Sequence, residues 1–259
     1  MAEVAFRRGG AGEPMVLVHG IGGSWRNWLA ILPALEARHE VLTVGLLGHH
    51  PTHPFEAGVR PTVAALVDGV EREMDGAGFA TAHLVGNSLG GWVALELAKR
   101  GRARTVCALS PGGTYRDGSL AADLTAMRLA LEHRLVARLL RPRADRLVRR
   151  PGVRRLLFSG TFAHPERIHA AEAWAMLESF GGAGVFIDLL RALKRDGPLR
   201  DLESIAPARP ARPAPPLARA VLSRRRGWAS APGRSRSRRL VRRPRPGAPT
   251  ARSSRVRVA

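Results

Sequence analysis

Along the first two hundred positions, apolar residues fall into two alternating kinds of run. Short blocks rich in β-branched and other apolar residues, "MVLVHG" (15–20), "EVLTVGLLG" (40–48), "HLVGNS" (83–88) and "TVCALS" (105–110), predict buried parallel strands. Between them the apolar positions recur with helical spacing: Trp28, Ile31, Leu32 and Leu35 within 25–37, Val63, Leu66, Val67, Val70 and Met74 within 62–74, and the stretch 89–100. Strands alternating with helices of this length build βαβ units, so the pattern predicts an α/β fold with a mostly parallel sheet flanked by helices.

From about residue 115 to 194 the strand signal is lost. Leu124, Met127, Leu131 and Leu135 share one helical face, and residues 115–197 read as a helical lid inserted after the α/β core of residues 1–114. The arginines Arg149, Arg150, Arg154 and Arg155 read as a solvated helix face rather than an anion site.

After Ile205 neither periodicity survives: 46 of the 56 residues from 204 to 259 are Ala, Arg, Pro, Gly or Ser, which cannot build a core. Codons made only of G and C encode Gly, Ala, Arg and Pro, so this mixture is what a GC-rich gene yields out of frame. Residues 198–259 therefore read as a remnant of the core followed by an irregular basic tail from a shifted reading frame. A native disordered tail is the alternative.

Composition changes the picture in three places. A chain of 259 residues with 45% hydrophobic residues suffices for one α/β domain with an insertion. The net charge of +21 would suggest a nucleic-acid partner, but 16 arginines lie after Glu203, and the preceding residues hold 26 basic against 21 acidic groups. With Trp228 as its only aromatic, the tail lacks the stacking residues of a specific nucleic-acid binder. The single cysteine, Cys107, excludes a disulfide within the chain and reads as a small core residue on its strand. No leader and no run of eighteen apolar residues is present, which predicts a cytoplasmic protein without a membrane partner. The sequence leaves the oligomeric state open.

The chemistry concentrates in two loops. Gly86-Asn87-Ser88-Leu89-Gly90 matches G-x-S-x-G at the end of a strand and the start of a helix, the setting of a nucleophile elbow. Ser88 is the candidate nucleophile. Gly86 and Gly90 are required because a strained turn leaves no room for side chains two residues to either side. The second loop is "HGIGGSWRNW" (19–28), which follows an earlier strand; the backbone N–H groups of Ile21 and Leu89 are the candidate oxyanion hole. His19 reads as a brace for that loop rather than as a base.

These pieces, "VLVHGIGGS", "LVGNSLGGWVALELA" and "ALSPGG", resemble the α/β-hydrolase superfamily in order and spacing over residues 5 to about 203, especially bacterial esterase-like and lipase-like members with a helical lid. Within that family the N-terminus looks short, entering near the second strand. The resemblance implies cleavage of an ester, thioester, amide or similar bond of a small acyl substrate by a Ser–His–acid triad, without a cofactor. It also implies an acid after the strand beyond the lid and a histidine after the last strand. No histidine follows His169, so the triad acid and base are unassigned and activity is expected to be impaired. An inactive, truncated hydrolase whose basic tail binds anions or nucleic acid nonspecifically is the alternative. Asp117 reads as a surface carboxylate rather than the triad acid, His133, His164 and His169 as ordinary lid residues, and the cluster His49, His50 and His53 as not binding a metal.

Overall fold

The computed structural model describes residues 6–49 and 54–205. The tail and its reading-frame interpretation lie outside the described residues, as do His50 and His53. Among the described residues five strands form one sheet: β1 (Arg7–Gly9), β2 (Glu13–Val18), β3 (His39–Val44), β4 (Ala82–Asn87) and β5 (Ala103–Leu109), in the spatial order β1-β3-β2-β4-β5. All neighbours run parallel except β1, which pairs antiparallel with β3 from Arg7↔Thr43 to Gly9↔Val41. The mostly parallel α/β architecture expected from the alternation is what forms. β1 has no apolar residue to signal it; the ladder with β3 holds it to the sheet, and Arg7 and Arg8 add ion pairs to Glu36 of the helix that precedes β3 and to Glu40 of β3.

On one face of the sheet lie α2 (Val63–Gly76) and α3 (Leu89–Lys99). Their stripes, Val63, Leu66, Val67, Val70 and Met74 on α2 and Val93, Ala94 and Leu97 on α3, close over Val16, Val18, Leu42 and Leu84. The opposite face is covered over β2 and β3, where Met15, Leu17 and Val41 meet Trp28 and Leu32. The helix expected over 25–37 is broken into a 3₁₀ turn at Trp25–Trp28 and α1 (Leu32–Glu36). Pro33 in the first turn of α1 supplies no N–H to continue the earlier turn, so the two pieces separate.

Over β5 no described residue covers that second face. Cys107 is exposed rather than part of the core, because nothing among the described residues packs on its side of β5; Leu109 beyond it is 45% exposed. The outer edge of β5 has no strand partner among the described residues.

The segment after β5 is helical: α4 (Leu120–Leu135), a π turn at Val136–Leu140, then α5 (Ala144–Leu147), α6 (Pro151–Phe158), α7 (Ala170–Gly182) and α8 (Phe186–Asp196). It has a core of its own around Val136, Val148, Phe158, Ala173 and Leu177. Arg154 is not a solvated residue as expected: it is buried and donates to the carbonyls of Val148 (2.6 Å) and Glu166 (2.8 Å), tying α6 to the turns before and after it. Arg149, Arg150 and Arg155 are exposed. The shared apolar face of α4 exists, but it points outward: Leu124, Met127, Leu131 and Leu135 are 51%, 65%, 68% and 48% exposed.

Candidate active site

Ser88 sits between β4 and α3 with φ 52° and ψ −117°. A side-chain-bearing residue adopts such a backbone at a cost of about 1–3 kcal/mol, which the surroundings must supply. They do so through the end of β5. The Ser88 N–H donates to the Leu109 carbonyl at 2.9 Å, and the Ser88 carbonyl accepts from the Gly112 N–H at 2.8 Å. Ser110, the residue that turns the chain out of β5, also has positive φ, at 45°. The "SPGG" turn at 110–113 is thus a clamp on the elbow; the sequence showed it as part of a resemblance and did not mark that role.

The glycines at 86 and 90 are a matter of contact distance. A Cβ on Gly86 would stand 2.1 Å from the Gly90 carbonyl oxygen, and one on Gly90 would stand 2.2 Å from the Val18 carbonyl oxygen. Both approaches are to backbone, which cannot rotate aside. The closeness holds the start of α3 against the ends of β2 and β4.

Ile21 follows β2, and Gly20 before it packs against the elbow: a Cβ on Gly20 would lie 3.3 Å from the Ser88 Cβ. His19 is fully buried beside this loop. Its Nδ1 donates to the Gly20 carbonyl (2.8 Å) and its Nε2 accepts from the Leu46 N–H (3.0 Å), which fixes the tautomer and ties the loop to the end of β3. Burial, reinforced by the nearby ring of His49, pushes the His19 pKa down to about 3, so the ring stays neutral. With both ring nitrogens engaged, His19 braces the loop.

Ile21, Ser88 and Leu89 line one cavity of about 480 Å³. Trp92 and the 111–113 turn form its base, and α4 and α8 form its walls through Ala122, Ala126, Leu129, Leu190 and Leu193. Leu89 opens α3, so its N–H has no acceptor within the helix and the positive end of the helix faces the cavity. No described residue accepts from the Ile21 N–H. Phe180 and Phe186 pack directly on Gly22, which has φ 71°, so α7 and α8 roof the loop that carries Ile21.

Among the described residues no histidine lines this cavity. His133 is buried in the helical segment, stacked on Phe186 with ring centroids 4.4 Å apart, and burial lowers its pKa. His164 is exposed and pairs with Glu166, while His169 precedes α7. Asp117 does line the cavity, but it is largely exposed and forms an ion pair with Arg200 at 2.6 Å. Among the described residues no group of His, Cys, Asp or Glu side chains could hold a metal ion. The walls from α4 and α8 went unmarked in the sequence, because small and apolar residues at helical spacing carry no chemical signature.

The profile of the alpha/beta hydrolase family matches residues 15–258. The epoxide hydrolase EphH of Mycobacterium tuberculosis is 39% identical over 146 residues, which are 55% of this chain and 66% of that protein. The dihydrolipoyllysine-residue acetyltransferase component of the acetoin cleaving system of Cupriavidus necator is 39% identical over 109 residues, 41% of this chain and 29% of the other. The matches thus span less than two thirds of either relative. Two solved structures share the fold. A bacterial membrane phospholipase A has a TM-score of 0.56 at 20% identity, over 75% of this chain and 60% of the other. The meta-cleavage product hydrolase CumD of Pseudomonas fluorescens IP01 has a TM-score of 0.51 at 21% identity, over 70% and 61%.

Proposed function

This chain belongs to the alpha/beta hydrolase family, and on that premise we propose that it is a serine hydrolase whose site is built for covalent acyl transfer through Ser88. One observation carries the reading: the hydroxyl-bearing residue at the strained turn faces the same apolar cavity as the Ile21 loop and the first residue of α3. In the proposed reaction the Ser88 Oγ adds to the carbonyl of an ester-like substrate. The oxyanion is held by the Ile21 and Leu89 N–H groups, the alcohol or thiol leaves with the proton lost by Ser88, and water then releases the acid.

The relative EphH is named an epoxide hydrolase, which raises ring opening as a second reading. The nucleophile argues against it. Opening an epoxide with a serine oxygen leaves an ether, which has no carbonyl for water to attack, so the enzyme would stall after one event. An acyl-serine has that carbonyl.

As part of this proposal, the site is impaired in this chain. Removing the Ser88 proton needs a base, no imidazole among the described residues lines the cavity, and residues 170–259 contain no histidine. Loss of the base costs several orders of magnitude in rate. The expected behaviour with p-nitrophenyl butyrate is slow acylation at Ser88, seen as a butyryl mass increment on the peptide carrying it, with turnover raised by added imidazole. Ser88→Ala should abolish both the adduct and the imidazole-dependent increment. Rapid turnover without added imidazole would overturn the impaired site, and an adduct that survives Ser88→Ala would overturn the nucleophile.

A further inference from the structure

A row of polar side chains crosses the sheet far from Ser88. Alternate residues of a strand share a face, so Glu13 of β2, His39 of β3, His83 of β4 and Thr105 of β5 stand on the face that Met15, Leu17, Val41 and Val85 also occupy. They lie near the starts of these strands. His83 precedes Ser88 by five residues along β4, roughly 16 Å at about 3.3 Å per residue.

The register sets Glu13 opposite His39 and His83 opposite Thr105. Three of the four side chains are joined. Thr105 Oγ1 lies 2.8 Å from His83 Nδ1, and His83 Nε2 lies 2.9 Å from Glu13 Oε2. An ionised carboxylate only accepts, so a neutral His83 keeps its hydrogen on Nε2, donates to Glu13 and accepts from the Thr105 hydroxyl through Nδ1. The bond from His83 holds the Glu13 carboxyl below the usual carboxylate range, and Arg104 at 3.4 Å helps to keep it ionised. His39 sets its ring edge-on to His83 with centroids 5.5 Å apart, which fixes the imidazole from a third side.

We infer that Thr105, His83 and Glu13 form a second nucleophilic site, one that takes an acyl group from small activated esters. A hydroxyl, an imidazole and a carboxylate linked in that order are recognised by geometry and role, whatever their positions in the chain. Thr105 is exposed and no described residue covers this face of β5, so a donor reaches the hydroxyl from solvent. Thr105 Oγ1 bonds to the carbonyl carbon while its proton passes to His83 Nδ1, and the bond to the leaving oxygen then breaks as that oxygen takes the proton. The product is an ester of Thr105. Glu13 is a positioning residue: it orients the ring and stabilises the imidazolium. An exposed strand face gives the developing oxyanion solvent rather than a preorganised pocket, so the donors are those whose leaving group is a weak base, such as a phenolate. The site stands whether or not Ser88 is catalytic.

The test is p-nitrophenyl acetate on the full chain carrying Ser88→Ala and Cys107→Ala, which removes the nucleophile proposed for the cavity and the exposed thiol of β5. After trypsin, Thr105 falls in the peptide 105–116 and position 88 in the peptide 73–99, so the two sites are read separately by mass. Fragmentation should place an acetyl group on Thr105 rather than on Ser110, Thr114 or Tyr115. Thr105→Val should abolish the adduct and Thr105→Ser should keep it. His83→Gln should slow acetylation at least about a hundredfold. Glu13→Gln should slow it at least about tenfold and have no further effect in the His83→Gln background, which separates a role through the ring from one in folding. Circular dichroism and the thermal midpoint should be unchanged in each variant. An unmodified Thr105, or acetylation indifferent to His83→Gln, would overturn the inference, and so would equal losses from Glu13→Gln with and without His83.

Discussion

β2 and β5 belong to one sheet and have similar apolar sequences, yet they meet opposite fates. Val16, Leu17 and Val18 of β2 are wholly buried, with α2 and α3 on one side and Trp28 and Leu32 on the other. β5 is covered by α3 on one side, its other side leaves Thr105, Cys107 and Leu109 exposed, and its outer edge is unpaired among the described residues. A strand of apolar residues is thus no evidence of its own burial. Burial is conferred by whichever elements the chain brings back to it, and at β5 the described part of the chain brings none. The same contrast explains why the elbow is intact although the sheet margin is uncovered among the described residues. Ser88 is clamped by backbone bonds to the end of β5, which need only that strand's position and no cover over its face.

Substitutions should separate the two regions by size of effect. The largest loss is expected at the covered centre, from Gly90→Ala: its Cβ would meet the Val18 and His19 carbonyl oxygens at 2.2 and 2.5 Å. A cost above about 4 kcal/mol follows, read as loss of cooperative unfolding or of soluble protein. Next, Leu17→Ala should cost about 2–5 kcal/mol, whereas Leu109→Ala should stay within about 0.5 kcal/mol. Urea unfolding of the two variants checks the comparison directly, and equal losses would break it.

The pH dependence of stability should also report on the covered region. His19 and His49 are buried, with pKa values pushed down to about 3 and about 4 from an ordinary 6.5, burial being the main cause. Folded-state values below the unfolded one mean that the unfolded chain binds more protons. Stability is therefore full above about pH 6.5 and falls as pH drops toward the folded values, by roughly 1.4 kcal/mol per pH unit for each histidine. Thermal midpoints from pH 7 to 5, above the main carboxylate range, measure this slope, and His19→Asn should flatten it. A midpoint flat over that interval would contradict the burial of the pair. The smallest effect belongs to β5: Cys107 should react with a thiol reagent in the native state at a rate near that of the unfolded chain, and Cys107→Ser should leave stability within about 0.5 kcal/mol. Slow labelling would show that something covers this face after all.

The sequence by itself determined the features that depend on near neighbours. Short continuous apolar runs placed β2 to β5, period-3.6 runs placed α2 and α3, and the spacing of Gly86, Ser88 and Gly90 located the turn, because a tight turn is decided by the residues within it. The brace at His19 was legible for the same reason, since the histidine ends a strand beside the loop it holds. Tertiary structure alone decided the rest. The exposure of Cys107, the burial of Arg154, the polar strand β1 and the outward turn of the α4 strip each depend on which distant segment arrives to cover or pair with them. The cavity at Ser88 is likewise made from α4 and α8, more than thirty residues further along the chain, whose alanines and leucines have no chemistry to announce them. An apolar pattern states that a face prefers to leave water, and the topology determines whether anything is there to receive it.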